Sequence, residues 1–234
     1  MIILSIKFIL LCIVAYIIKS IYDLLDFNKD ASLITMDVIN KERIKLGMSN
    51  KNPLVISYPT NFTTSLEELN QFSPGYIIND KDKLISLELL INSEKALIHK
   101  NSSMCKELLL DKSIQPIYDL FKQDLDVNAT NYISLYKGDT LINLTKNMNS
   151  TLLFKALCGT FTFHIFNPKH ENEIRGEQPS KIKKWGIKIN VTTDTILYIP
   201  PEWNYIYEST EEAILLEINT DTYPTFLYNY IRKK

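Results

Sequence analysis

Residues 152–168 read LLFKALCGTFTFHIFNP, and residues 194–209 read DTILYIPPEWNYIYES. In the first stretch Phe161, Phe163 and Ile165 alternate with Thr162 and His164. Aromatic and β-branched residues alternating with polar ones predict a half-buried strand. The second stretch repeats the pattern over 196–199, halts at Pro200 and Pro201, then resumes at Tyr205, Tyr207 and 214–218. A proline pair removes ladder donors and fixes φ, so it ends one strand and aims the chain into the next.

Working outward, the chain from Asn131 on reads as short strands over 132–136, 140–144, 152–166, 188–191, 195–199 and 213–218. An aromatic helix over 223–231 closes it. Upstream, residues 52–56 read as a strand entered through Pro53. Thr64 or Ser65 caps a helix with Glu67 and Glu68 in its first turn, and Ser73, Pro74 and Gly75 break it. Leu84, Leu87, Leu90 and Ile91 share one helical face, as do Leu108, Leu109, Ile117, Leu120 and Phe121. That spacing predicts helices over 84–98 and 104–125, with Pro116 at a boundary. The expected class is mainly β with a helical insert, an α+β chain.

The two opening stretches resemble blocks of the Jumonji-C and related cupin-like oxygenases. FKALCGTFTFHIFNP is similar to the family strand that carries a Gly, then a Lys two residues on, then an apolar run ending in Pro. DTILYIPPEWNYIYES is similar to the later strand with its Pro-Pro-Gly-Trp turn and a His beyond it. The resemblance implies a double-stranded β-helix, a jelly-roll barrel, over about 130–220. It also implies Fe(II) held at the barrel mouth by two His and one carboxylate, with 2-oxoglutarate as co-substrate.

This chain departs from that pattern at the residues that do the chemistry. Its three His are His99, His164 and His170, and none has an acid two residues later. The expected His-x-acid pair falls in KGDTLINLTKNMNST at 137–151, where the matching positions are Asn143 and Thr145, or Lys146 and Met148 without a gap. Tyr205 stands where the distal His would be, and Phe161 where the co-substrate Lys would be. Gly159, Pro200, Pro201 and Trp203 keep the packing positions, while Glu202 replaces the Gly of the turn. Tyr can ligate iron, and Lys155 is the one cation on the same strand able to reach inward. His164 and His170 with Glu171 and Glu173 read as a strand face and a solvated loop. Asp111, Asp119, Asp124 and Asp126 read as helix faces and caps, because no calcium-loop spacing is present.

Residues 1–18 are almost wholly apolar, broken by Ser5 and Lys7. A run of that length predicts a transmembrane anchor over 1–22, with a cleaved signal peptide as the competing reading. The chain then divides into a connector over 23–50 and a cupin-like domain over 51–234, with its helical part at 64–125. Positive charge after the apolar run points the domain to the cytosol. Six sequons, at Asn61, Asn101, Asn128, Asn143, Asn149 and Asn190, point the other way. Net charge is −1, which argues against a nucleic-acid surface. Lys outnumbers Arg 23 to 3, the usage of AT-rich genomes such as those of parasites and large DNA viruses. Three Cys do not make a disulfide framework.

The expectation from sequence is therefore a membrane-tethered, non-catalytic barrel that meets a protein partner as an interaction or structural module. It has no metal and no cofactor. The alternative is a divergent Fe(II)/2-oxoglutarate oxygenase, hydroxylase- or demethylase-like, with rewired ligands.

Overall fold

The computed structural model describes residues 2–59, 63–73, 75–80, 83–93, 96–108, 110–124 and 126–232. Asn61, Pro74 and Leu109, singled out above, lie outside the described residues. In chain order the first half holds α1 (Ile2–Leu25), β1 (Ile34–Met36), α2 (Lys41–Ser49), β2 (Leu54–Ser57), α3 (Leu66–Phe72), β3 (Ile77–Asp80), β4 (Lys83–Ser86), α4 (Leu87–Asn92), β5 (Ala96–Asn101), α5 (Ser102–Glu107) and α6 (Leu110–Phe121). The second half holds β6 (Asp126–Lys137), β7 (Thr140–Lys146), β8 (Thr151–Cys158), β9 (Phe161–Phe166), α7 (Glu171–Ile174), α8 (Pro179–Ile182), β10 (Ile187–Val191), β11 (Thr195–Ile199), β12 (Asn204–Ser209), β13 (Ala213–Thr222) and α9 (Tyr223–Arg232).

The large sheet runs β1-β2-β11-β8-β13-β6-β5, the small sheet runs β10-β9-β12-β7, and β3 and β4 form a separate hairpin. From β6 on, the chain deals strands to both sheets: β6, β8, β11 and β13 to the large one, β7, β9, β10 and β12 to the small one. That order is consistent with a jelly roll. β8 is apolar on both faces except at Thr151 and Lys155. Phe154 and Ala156 join the cluster between the sheets, while Leu153 and Leu157 join the cluster under the helices. A strand buried on both faces loses the alternation of a half-buried one.

Gly159 makes the β8–β9 turn at φ 69. A Cβ there would stand 2.6 Å from the Glu212 carbonyl oxygen and 2.9 Å from the Ala213 Cβ, so only glycine fits.

Several expectations need correcting. The fold is mixed α/β, with many strands in sheets and helices spread through both halves, rather than mainly β plus a membrane helix. Among the described residues no helix is long and apolar enough to cross a membrane. The anchor over 1–22 and the single-pass localisation are therefore not supported. α1 carries Lys7 within its apolar run and Lys19 and Asp23 beyond it, three charges on one helix. Its C-terminal end is tied back to the domain, because the Lys51 Nζ donates to the Asp23 and Asp26 carbonyl oxygens.

The span 84–98 is not one helix. It is strand, short helix and strand, because Ser86 caps a new helix by accepting from the Leu89 N–H at 3.2 Å. Pro116 does not end α6 but lies inside it. Ile114, Ile117 and Phe121 are buried on its core face. Three such side chains, at about 1.5–3 kcal/mol each, outweigh the roughly 3 kcal/mol cost of an interior proline. Within 23–50, β1 pairs in parallel with β2 and extends the large sheet.

Candidate functional site

The end of the barrel carrying Pro200, Pro201 and Trp203 is where the family resemblance puts a metal. A buried asparagine stitches this rim together. The Asn147 Nδ2 donates to the Ile199 carbonyl, the Asn147 N–H to the Trp203 carbonyl and the Glu202 N–H to the Asn147 carbonyl, each at 2.8 Å. Glu202 sits at φ 66, the left-handed region that a Gly in the family turn adopts without strain. Its carboxylate meets the Lys146 Nζ at 2.8 Å, and Lys146 also reaches Glu171 at 3.0 Å. Pro200, Pro201 and Trp203 are all buried.

Below the rim the space between the sheets is filled by rings. The Phe154 centroid lies 4.8 Å from Phe163, 5.4 Å from Tyr205 and 5.9 Å from Tyr207. Tyr136 meets Phe161 edge-on at 5.4 Å. Phe161 and Tyr205, the positions matching the co-substrate Lys and the distal His, are members of this cluster and are 0 % and 2 % exposed. Tyr205 pairs with Thr145 across the small sheet. Thr145 is half-buried and Asn143 exposed on edge strand β7, where the Thr145 hydroxyl donates to the Asn143 carbonyl at 3.0 Å. With no gap the pair is Lys146, engaged in the rim ion pairs, and Met148, whose sulfur accepts from Arg232 at 3.6 Å.

These residues do not fit a facial triad. Thr145, Asn143 and Met148 are neutral, and Lys146 is a cation already held by two carboxylates. Tyr205 would have to bind as phenolate. Burial, reinforced by the Glu217 charge and by Tyr136, pushes its phenol far above the ordinary value. Lys155 cannot substitute. Strand alternation turns it away from Phe154 and Ala156, and its Nζ donates to the Tyr58 and Thr193 carbonyls on the helical side. Burial lowers that amine to about 8, partly opposed by Asp194. Among the described residues no group of three or more His, Cys, Asp and Glu side chains is placed to hold a metal.

The three His are spread over different surroundings. His99 Nδ1 is 3.2 Å from the Tyr136 hydroxyl, which lies 2.7 Å from that of Tyr207. Burial pushes Tyr136 up to about 12. His164 faces outward from the small sheet, and His170 stacks on Trp185 at 5.2 Å. Among the described residues no disulfide joins the Cys; Cys105 is buried and Cys158 half-buried.

Two buried features escape a reading by sequence motif. One is Asn147. The other is Glu217, 1 % exposed, held by the Lys100 Nζ at 2.7 Å and the Asn219 Nδ2 at 2.9 Å. Its signal was a lone acid in the apolar run 213–218. Outside the barrel, a cleft of about 490 Å³ lies beside α9, lined by Met148, Phe226, Asn229, Tyr230 and Arg232 among others.

No protein-family model matches this chain, and no curated protein matches it. The family resemblance therefore rests on the two sequence blocks alone.

Proposed function

We propose that this chain is a non-catalytic barrel that serves as an interaction or structural module for a protein partner. The observation that carries this reading is the filling of the barrel. Tyr205 and Phe161 stand where ligand and co-substrate cation would be needed, and both are packed into the aromatic interior. Metal-assisted chemistry requires an open coordination position and a pocket for substrate. A neutral phenol and a phenyl ring wedged among Phe154, Phe163 and Tyr207 offer neither. A side chain that must leave the core to admit a ligand costs several kcal/mol of burial.

The test is succinate release from 2-oxoglutarate with added ferrous iron, on the wild type and on Tyr205→Phe. No turnover in either is the expected result. Iron-dependent turnover that Tyr205→Phe abolishes would overturn the module reading and make Tyr205 a metal ligand in an oxygenase.

A further inference from the structure

Residues 168–186 cross the outer face of the small sheet as a thin cover. Their regular structure is two single-turn helices, α7 and α8, and two 3-10 turns. Ile174 and Ile182 from the cover pack on Phe166 and Ile206 of the sheet, with Leu144 at the edge. Gly186 brings the cover's end onto the sheet so closely that a Cβ would stand 2.8 Å from Phe166 Cε1 and 3.2 Å from His164 Cβ. Lys183 Nζ reaches both Glu208 oxygens, at 2.8 and 2.7 Å.

His164 lies under this cover, 8 % exposed. Its Nδ1 is buried and has no partner, and the cover's Gly186 packs against its Cβ. A neutral ring avoids a buried donor without an acceptor by carrying its proton on Nε2 and leaving Nδ1 bare. A second proton would create a buried Nδ1–H with no acceptor, a cost of about 1–3 kcal/mol for a neutral donor and more for a charged one. The charged groups facing the ring come from three elements. They are Lys188 on β10, opposite His164 in register, Glu208 on β12, and Lys183 of the cover itself. Two cations against one carboxylate oppose the imidazolium.

We propose that residues 168–186 are a latch, closed over a buried neutral His164 and released when that ring is protonated, exposing Phe166, Ile206 and Leu144 on the small sheet. Burial first, then Lys183 and Lys188, hold His164 below its ordinary value of 6.5, against Glu208. With the closed-state value depressed, the open state binds the extra proton. Closure is fully favoured above the open-state value near 6.5 and weakens as pH falls through it, by at most about tenfold per pH unit for one proton. The release does not depend on whether the barrel turns over a substrate.

Hydrogen exchange on the full chain tests this, read as protection factors so that the intrinsic pH dependence of exchange cancels. Between pH 7.5 and 5.5, protection across 168–186 should fall several-fold, up to about tenfold, while β8 and β13 keep theirs. His170→Gln should behave as wild type, and His164→Gln should show no pH-dependent fall. Unchanged wild-type protection, an equal fall in His164→Gln, or a matching loss in β8 and β13 would each overturn the latch. The His164 imidazole titration, followed by NMR in the wild type, stands independently of any variant's folding. A midpoint below 6.5 is expected, and one at or above it overturns the proposal.

Discussion

The two sheets of this barrel are covered on their outer faces by very different amounts of protein. Among the described residues, the helices of the first half and the strands they cover share a cluster of 25 buried apolar residues, whereas the small sheet and residues 168–186 share four. Burial scales with apolar area, so the helical layer is part of the global core while the cover is a local unit. Local units open at a fraction of the global unfolding free energy. A barrel with one fixed side and one releasable side suits a module that presents a surface better than an enzyme that must enclose a reaction.

The largest effect is expected inside the barrel. Phe154→Ala removes a ring that touches Phe163, Tyr205 and Tyr207, and should cost about 3–5 kcal/mol in urea unfolding. A loss below about 1 kcal/mol would show that the interior is loosely packed. Next comes the buried ion pair. Lys100→Met leaves the Glu217 carboxylate, 2 % exposed, without its cation. The expected cost is about 3 kcal/mol, the low end for an orphaned buried charge because Lys100 itself is 30 % exposed. Lys100→Met/Glu217→Gln should recover part of that loss.

A charge also lies in the thicker layer. Lys155 has its amine lowered from 10.5 to about 8 in the folded chain. Between those values the unfolded chain binds the extra proton, so stability should rise with pH from 8 toward 10.5 and be flat below 8. Comparing urea midpoints at pH 7.5 and 9.5 reads the rise, and Lys155→Met should remove it. The smallest global effect belongs to the cover. Ile182→Ala should change global unfolding by less than about 1 kcal/mol, because the cover opens on its own, yet speed proteolysis within 168–186. Global loss as large as that from Phe154→Ala would erase the distinction between the two sides.

How far the sequence reveals this arrangement depends on burial pattern. β9, β11 and β12 are legible because their residues alternate or stop at prolines, and the matched positions Phe161, Tyr205 and Trp203 could be named in advance. The direction of Lys155 was not legible: the sequence leaves it able to reach inward, whereas Phe154 and Ala156 take the inner face and turn it outward, a choice that shows only once both faces of β8 are known to be buried. The stretch 84–98 misleads because Leu84, Leu87, Leu90 and Ile91 fit a helix while Ser86 starts one afresh between two strands. The N-terminal apolar run misleads because its length alone predicts a span, whereas α1 also carries Lys7, Lys19 and Asp23. The cover was invisible. Its polar, irregular sequence has only Ile174 and Ile182 to mark a buried side, too few to set a period.

The central claim is that side chains occupy the place where iron and keto acid would bind. Anaerobic calorimetric titration of the full chain with ferrous iron, with and without 2-oxoglutarate, tests it most directly. No saturable heat and an unchanged melting temperature are expected. Stoichiometric binding that Tyr205→Phe abolishes would contradict it, because it would mean that Tyr205 leaves the aromatic cluster to become a ligand.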